Sequence, residues 1–441
     1  MFTNKDLRKL IVPIVIEQVL AMTIGLADTI MVSSCGEAAV SGVSLVDSIN
    51  FLFITLFTAL ATGGSVVAAQ YIGHGDREVA NKTANQLFYV SVGLALVFGL
   101  ICCFGRGLIL NTVYKSVEAD VMSNAMIYFL LTAASYPFLA AYNSGAALFR
   151  SMGDSKTSMY TSFLMNGLNV VGNAVLIFGA KMGVAGAAWA TLGSRVIGAV
   201  FITVLLLNRN RALYYDRLYR IKFNWGLIRK ILYIGIPNGI ENSVFQLGKI
   251  IVASIVAVLG TSSITANAIC GNLASFQITP GMAVGVAMVT VVGQCVGAQK
   301  YDEARMYIRK LMFVAYCLIW GATLLLFLFR NPVLSLYRLS PETEALTMQC
   351  FMVHGICAIA IWPPSFALPN ALRAANDVKF TMITALLSMM LFRVVLTYIL
   401  IHFFGVGVVG VWIAMCSDWL TRAIVFVTRI KGDRWTRKQI I

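Results

Sequence analysis

The sequence predicts an all-α polytopic membrane protein whose twelve transmembrane helices form two six-helix lobes. The first observation is composition: the 441 residues are 59% hydrophobic and 12% charged, with a mean hydropathy of +0.81, whereas a soluble domain of this size needs a far more charged surface. The second is that apolar runs of about 20 residues recur along the chain, each long enough to cross a bilayer core. The third is a motif that occurs twice, as Gln70-x-x-Gly73 and as Gln294-x-x-Gly297, about half a chain apart.

The apolar runs predict helices, because they are too long and too poor in strict alternation for barrel strands, and only helices or closed barrels satisfy their backbone in lipid. The twelve predicted spans lie near 8–33, 45–72, 86–104, 124–148, 157–180, 184–207, 231–259, 265–296, 307–329, 345–371, 378–403 and 407–430. The first span carries Glu17 and Asp28, and no small-residue cleavage site follows a short apolar core. It is therefore predicted to be a retained helix rather than a signal peptide.

The distribution of the net charge of +15 indicates a membrane topology rather than nucleic-acid binding. With the side that holds the N-terminus called inside, the inside segments carry 25 Lys and Arg residues and the outside segments carry five. The outside five are Arg106, Lys115, Lys181, Arg330 and Arg338, and the four within spans are Arg195, Lys249, Arg393 and Arg422. By the positive-inside rule, we expect both termini in the cytoplasm and a multi-pass protein of the plasma (inner) membrane.

The two copies of the repeated motif belong to longer repeats. Residues 13–80 align without a gap on residues 237–304, with twelve of 68 positions identical, and Arg150, Asp154 and Lys156 match Arg373, Asp377 and Lys379 at almost the same offset. Six spans in each half predict parallel repeats: an N-lobe at 1–208, a basic cytoplasmic linker at 209–230 and a C-lobe at 231–441. The motifs that end the second span of each lobe are predicted to form tight structural turns.

Polar side chains within spans are costly, at about 2.5–3.5 kcal/mol for a carboxylate near mid-bilayer. Asp28 lies eleven residues after Glu17 and on the same helical face. The fifth span carries amide side chains in one stripe along the helix. These amides either serve a functional site or hydrogen-bond to neighbouring helices. The seventh span carries a second polar group, and Asp418 and Arg422, one turn apart, predict a local salt bridge. The amides are Asn166, Asn169 and Asn173, and the second group is Glu241, Asn242, Gln246 and Lys249.

The order of motifs along the chain resembles the multidrug and toxic compound extrusion (MATE) family. The motifs are Pro13, Asp28-Thr-Ile-Met-Val, Thr62-Gly63, Gln70-x-x-Gly73, Arg150-Ser-Met-Gly-Asp154, Gly183-Val-Ala-Gly-Ala-Ala-Trp-Ala-Thr191 and Gln294-x-x-Gly297-Ala. The resemblance covers nearly the whole chain. It implies a secondary antiporter that exports organic, often cationic or amphipathic, compounds in exchange for protons or sodium ions by alternating access.

The resemblance also implies cation-coupling residues. Some family members build a cation site in the N-lobe from an Asp on the first span, an Asn and an Asp four residues apart on the fifth, and a Thr on the sixth. These positions match Asp28, Asn169, Asn173 and Thr191 here. Asn173 replaces the second acid, which puts sodium affinity and a shared proton in doubt. Other branches use a Glu on the seventh span, so Glu241 is the second coupling candidate.

Five side chains are predicted to bind substrate, the apolar three because soft and aromatic groups suit varied ligands. They are Gln246, Lys249, Phe276, Met282 and Trp362. Lipid contact or core packing is the alternative for the apolar three. Lys249 has three open roles: it pairs with a carboxylate, repels cationic substrates or attracts anionic ones.

The sequence leaves one alternative function open and contains no motif for several others. A lipid-linked oligosaccharide or lipid flippase of the related superfamily is the alternative function, and it would favour a large cationic cavity. An enzyme is not expected, because the chain has no HExxH motif, paired aspartates or Ser–His pair. The chain also has no Walker motif, so transport driven directly by ATP is not expected either. The nine cysteines form no Cys-x-x-Cys pair. We expect no cofactor and no nucleic-acid partner, but a monomer in the lipid bilayer that handles small organic molecules.

Overall fold

All regular secondary structure in the described part of the chain is helical. The computed structural model describes residues 1–114, 117–335, 337 and 339–438. Lys115 and Arg338, two of the predicted outside charges, lie outside the described residues. The chain divides into two compact units, an N-terminal unit of Phe2–Gly239 and a C-terminal unit of Met1 with Ile240–Ile441. The division falls within helix α8, shortly after Pro237.

The N-terminal unit contains helices α1 to α7 and the first part of α8. They are α1 (Asn4–Ser33), α2 (Glu37–His74), α3 (Arg77–Val113), α4 (Ala119–Ala134), α5 (Tyr136–Ser151), α6 (Ser155–Asn173), a π-helical segment (Ala174–Gly179), α7 (Gly183–Leu206) and α8 (Trp225–Ala257). Helices α4 and α5 form one span, bent by 45° at Ser135. Proline at the second position of α5 explains the bend, because it cannot donate a backbone hydrogen bond.

The C-terminal unit contains the rest of α8 and helices α9 to α16. They are α9 (Thr261–Gly297), α10 (Tyr301–Leu328), α11 (Arg330–Ser335), α12 (Pro341–Trp362), a π-helical segment (Pro363–Ala367), α13 (Leu368–Ala374), α14 (Val378–Ser388), a second π-helical segment (Met389–Val395), α15 (Leu396–His402), α16 (Val408–Lys431) and a 3₁₀ turn (Arg434–Arg437).

Among the described residues, eleven helical segments are long and apolar enough to span a membrane, and the bent α4–α5 pair makes twelve. Two of these segments, Pro341–Ala374 and Val378–His402, each continue through a π-helical stretch in their interior. The predicted fold class is confirmed: the protein is all-α and polytopic, with six spans in each repeat.

The turns at the repeated motif are as tight as predicted. Only Gly75 and Asp76 separate α2 from α3: Gly75 has a φ of +88° and closes α2, and the Asp76 side chain caps α3 by accepting from the Val79 amide at 3.0 Å. Gln70 and Gln294, at the start of each motif, are 0% and 9% exposed. Both side chains lie inside the helical packing, in agreement with the predicted structural role.

The same ion pair joins the first span to the end of the fourth span in both repeats. Glu17 accepts from Arg150 at 3.2 Å in the N-terminal unit, and Glu241 accepts from Arg373 at 2.6 Å in the C-terminal unit. Glu17 follows the repeat to Glu241 and Arg150 to Arg373, so the two pairs are equivalent. The two glutamates are 7% and 8% exposed. Each pair therefore fixes the end of one helix against another in a place where water does not compete.

A second equivalent pair involves the acid that precedes the fifth span. Asp154 accepts from Arg211 at 3.1 Å, and Asp377 accepts from Arg429 at 2.7 Å. Asp154 also caps α6 through the Thr157 amide at 3.2 Å. The acid therefore recurs at the same repeat position in both units. Its arginine partner lies in the 209–230 segment in the N-terminal unit and on α16 in the C-terminal unit.

Amide side chains of α3 hold the segment that precedes α8. Asn85 donates to the carbonyl of Asp216 at 2.7 Å and accepts from its amide at 3.2 Å. Gln86 donates to the carbonyl of Lys222 at 2.7 Å and accepts from the amide of Asn224 at 3.0 Å. Burial between these contacts raises the pKa of Tyr215. Much of the predicted 209–230 linker is thus bonded to the N-terminal unit.

Breaking the N-terminal ion pair should destabilise the protein. Glu17→Gln leaves the half-buried Arg150 guanidinium without its carboxylate, and we expect a loss of about 3 kcal/mol in unfolding free energy, read as a lower Tm in detergent. Glu78→Gln is the matched control, because Glu78 pairs with Lys82 on the surface at 79% side-chain exposure and such pairs contribute little. Equal Tm values for the two variants would contradict a structural role for the pair.

Removing the amides of α3 should expose the linker to proteases. Asn85→Ala with Gln86→Ala deletes four hydrogen bonds to the linker backbone, each contributing about 1 kcal/mol. We expect faster limited proteolysis between residues 214 and 224, measured by mass spectrometry of the fragments. Lys82→Ala on the same helix is the control, and cleavage at the same rate in both variants would argue against the contacts.

Candidate functional site

Four of the predicted coupling residues lie together in the N-terminal unit. The Asn173 side-chain amide donates to the Asp28 carboxylate and lies 3.4 Å from the Asn169 oxygen. Asn169 donates to the Thr191 hydroxyl at 3.2 Å, and that hydroxyl donates to the carbonyl of Ala187 at 2.9 Å. One chain of hydrogen bonds thus runs from α1 through α6 to α7.

A second carboxylate, Asp47 on α2, belongs to the same polar region and was missed by the sequence reasoning. The Asn50 amide lies 3.5 Å from the Asp47 oxygen, and the Asn50 oxygen accepts from the Tyr136 hydroxyl at 2.7 Å. Asp47 interacts electrostatically with Asp28. The signal was present in the sequence as an acid and an amide three residues apart, but the predicted span began at 45 and placed Asp47 at its edge. Helix α2 begins at Glu37, so Asp47 lies about three turns inside it.

Arg195 on α7 supplies the positive charge of this region. Its guanidinium donates to the Ser135 hydroxyl at 2.7 Å, at the bend between α4 and α5. Its charge acts on both Asp28 and Asp47. We call Asp28, Asp47, Asn50, Asn169, Asn173, Thr191 and Arg195 the N-terminal polar cluster. With both acids ionised the cluster carries one excess negative charge, so it suits the uptake of a single cation.

The N-terminal polar cluster combines two carboxylates with amide and hydroxyl side chains. In the part of the chain that the structure describes, no group of three or more His, Cys, Asp or Glu residues is placed to hold a metal ion. Asp47 is exposed and Asp28 half-buried, so both carboxylates remain reachable. The buried Asn173 oxygen has no hydrogen-bond partner among the described residues, which leaves one acceptor beside the acid. The π-helical segment Ala174–Gly179 starts directly after Asn173, and such segments are frequent at functional sites.

The other predicted coupling residue, Glu241, belongs to the C-terminal unit. Its carboxylate is engaged by Arg373, as its repeat counterpart Glu17 is engaged by Arg150. The structure therefore gives Glu241 an architectural role that accounts for its presence within a span.

A group of cations surrounds Phe245 in the C-terminal unit. The Lys249 ammonium lies 5.6 Å from the ring centroid, and the guanidinium carbons of Arg393 and Arg422 lie at 5.1 and 5.7 Å. We call Lys249, Arg393 and Arg422 the C-terminal cation cluster. The predicted salt bridge is confirmed, since Arg422 donates to Asp418 at 2.8 Å.

The other predicted substrate-binding residues occupy different environments. Phe276 and Met282 on α9 are 38% and 51% exposed, whereas Trp362 is 2% exposed. Trp362 packs in the core and stacks on Phe366 at 5.4 Å. Gln246 is half-buried on α8, one residue after Phe245. Their roles in binding stay predictions, and Trp362 contributes in this conformation as support for Phe366.

Comparison with known families and proteins agrees with this architecture. The family model described as MatE matches residues 13–175 and 237–399, two stretches of equal length that are related by the same offset as the repeat. The chain is 28% identical to the uncharacterized transporter YisQ of Bacillus subtilis, over 97% of this chain and 94% of that protein. It is 27% identical to the probable multidrug resistance protein NorM of Thermotoga maritima, over 99% and 94%.

Solved structures share the fold at lower identity. A multidrug resistance MATE family transporter of the MOP superfamily in an outward-facing conformation superimposes with a TM-score of 0.90 and 21% identity, over 97% of this chain and 96% of that one. A MATE crystal structure in a bent conformation gives 0.89 and 20%, over 97% and 95%. The family model matches more than half of the residues, in both repeats. The chain therefore belongs to the MatE family of multidrug efflux transporters.

Proposed function

We propose that the protein is a secondary antiporter that exports amphipathic organic compounds in exchange for protons, and that coupling takes place at the N-terminal polar cluster. The observation that carries this proposal is the contact of Asp28 with Asn173 inside a membrane span, with Asp47 and Arg195 acting on the same carboxylate. Relatives of this chain are described as multidrug resistance proteins, which supports organic cargo.

Coupling requires a group whose ion occupancy differs between the two conformations, since otherwise a gradient cannot bias their equilibrium. A carboxylate within a span meets this requirement, because its ionised form is costly in lipid unless partners stabilise it. A 100 mV potential supplies about 2.3 kcal/mol per charge moved, so a single titrating acid is sufficient. Asp28 is bonded to a helix other than its own, so a change in its protonation alters the contact between α1 and α6.

Three observations favour the proton over sodium as the coupling ion. The second acid of the family's cation site is Asn173 here, which removes a charged oxygen ligand. The oxygens of Asn169 and Thr191 are oriented by hydrogen bonds to neighbours. Arg195 is a resident cation whose charge already acts on Asp28 and Asp47. A protonated carboxyl needs no cage of ligands, whereas a sodium ion does.

Glu241 is the second candidate for coupling and is the weaker one. Its carboxylate is paired with Arg373 at 2.6 Å, and release of that pair would leave a buried guanidinium uncompensated. Exchange at this position would therefore act against the packing of the C-terminal unit.

The proposed topology has cytoplasmic termini in a plasma (inner) membrane, since 25 of the Lys and Arg residues lie on the side of the N-terminus and five on the other. Export then moves cargo from the cytoplasm to the outside, and protons move inward down their gradient.

Asp28→Asn should abolish gradient-driven transport. The amide keeps the size of the side chain but holds no exchangeable charge, so we expect fluorescent-substrate transport in proteoliposomes to fall to the level of empty liposomes. Substrate binding in detergent should change by less than about threefold, which corresponds to roughly 0.7 kcal/mol. Glu78→Gln, an exposed acid on α3, is the control and should transport as the unmodified protein does. Normal transport by Asp28→Asn together with loss in Glu241→Gln would assign coupling to the C-terminal unit instead.

A proton gradient alone should drive transport, and a sodium gradient alone should not. The measurement imposes each gradient separately on the same proteoliposomes, with valinomycin and potassium to fix the membrane potential. We expect initial rates under the sodium gradient to match those without any gradient. If a sodium gradient drives transport at symmetric pH and Asp28→Asn abolishes it, the N-terminal polar cluster remains the coupling site but the coupling ion is sodium.

A further inference from the structure

The C-terminal cation cluster carries more positive charge than its surroundings neutralise. Asp418 is the carboxylate bonded to it, and it accepts from Arg422 at 2.8 Å and from Ser388 at 2.6 Å. Neither Lys249 nor Arg393 forms a salt bridge with any described residue. The buried Arg393 Nε has no hydrogen-bond partner among those residues. Three cations and one carboxylate leave two positive charges inside a membrane-spanning unit.

Such an excess is costly in a bilayer unless a ligand or water compensates it. Glu241 lies one turn before Phe245 on α8 but is already paired with Arg373. Contact of the three cations with the Phe245 ring offsets only part of the cost, since an aromatic ring attracts a cation less strongly than a carboxylate does. The cluster therefore holds two positive charges that a bound anion would compensate.

The fold itself does not require these cations. At the repeat offset that relates Gln70 to Gln294, Lys249 corresponds to Gly25, Arg393 to Asn169 and Arg422 to Gly198. The N-terminal unit builds the same helices with small or neutral residues at those positions. The charges are thus a property of the C-terminal unit alone.

Two local features position the unpaired cations. Helix α8 approaches the π-helical segment Met389–Val395 so closely that a Cβ on Gly248 would overlap the Met389 side chain. Lys249 is the next residue on α8, and Arg393 lies four residues after Met389. The glycine contact on one side and the π-helical turn on the other therefore direct both cations to the same ring.

Aromatic side chains adjoin the cations. Phe245 meets Phe366 edge to face at 6.1 Å, and Phe366 meets the ring of Trp419 at 5.7 Å. Phe366 also lies 5.4 Å from the Arg422 guanidinium. A ligand in contact with Lys249 and Arg393 would place its remaining atoms near flat apolar surfaces.

We infer that the C-terminal cation cluster binds an organic anion, with a carboxylate held by Lys249 and Arg393 and an aromatic or flat apolar part against Phe245 and Phe366. This inference rests on the proposed function, because it names the charge class of the exported compound. It departs from the cationic cargo that the family resemblance implies. Arginine and lysine together suit a carboxylate, because a guanidinium donates two parallel hydrogen bonds and an ammonium adds a mobile charge.

The test measures binding of three matched probes to the purified full-length protein in phosphatidylcholine nanodiscs: 1-naphthoate, its neutral amide and 1-naphthylmethylammonium. We expect naphthoate to bind about tenfold or more tightly than the amide. Lys249→Gln and Arg393→Gln should each remove that preference and leave amide binding unchanged. Lys249→Arg should keep it, which excludes a general loss of folding. Arg309→Gln, an exposed arginine of α10, is the control.

Equal binding of naphthoate and its amide, or tighter binding of the ammonium probe, would overturn the inference. Displacement of naphthoate by phosphatidylglycerol in the nanodisc would assign the anion to a lipid headgroup and overturn the inference that the cluster binds a soluble organic anion. Antiport of cationic dyes without naphthoate binding would refute this inference alone. Naphthoate binding without gradient-driven transport would refute the proposed function and leave the anion site standing.

Discussion

The core of a bilayer offers no water to a buried charge or amide, and this constraint governs where the polar side chains of the protein lie. Each repeat meets it with one buried Glu–Arg pair that joins the first span to the end of the fourth, Glu17 with Arg150 and Glu241 with Arg373. Partners that are far apart in the chain thereby become neighbours. The pairs contribute position more than stability, since a buried pair gains little over apolar packing but is costly to break. Helices anchored in this way can carry further polar groups at fixed places.

The two units use one scaffold for opposite electrostatics. The N-terminal polar cluster contains two carboxylates and one guanidinium, whereas the C-terminal cation cluster contains three cations beside one carboxylate, that of Asp418. Repeat positions make the contrast concrete: Asn169 bonds to Thr191, while Arg393, its counterpart in the second repeat, approaches Phe245. The Glu–Arg pairs that join helices recur in both repeats, whereas the residues of the two clusters differ between them. Under the two proposals above, ion exchange takes place at the N-terminal polar cluster and recognition of cargo at the C-terminal cation cluster.

Sequence reasoning recovered the architecture because hydropathy, loop charge and the repeat are local or periodic signals. The twelve spans, the tight turns and the Asp418–Arg422 pair follow from spacing alone. The grouping of Asp28 with Asn169, Asn173 and Thr191 came from family resemblance, not from periodicity, since contacts across three helices leave no trace in spacing. Asp47 was missed because the predicted span began at residue 45 and left Asp47 at its edge, whereas α2 begins at Glu37. The Glu–Arg pairs had a usable signal: both members recur at the repeat offset, which indicates a contact retained through duplication.

The π-helical segments explain why the remaining site geometry was out of reach. A π turn inserts one residue, which rotates the side chains beyond it by about 100° relative to a regular helix. One such segment comes directly after Asn173, one carries Phe366 and one carries Arg393. A helical wheel drawn through any of them assigns the wrong face to the residues beyond it. Each also leaves backbone groups less regularly bonded, a cost that a span bears only where neighbouring protein or water compensates. The π-helical segments therefore coincide with the charged and aromatic clusters for a physical reason. Irregular backbone and charged side chains are both tolerated in a membrane span only where protein or water, rather than lipid, surrounds them.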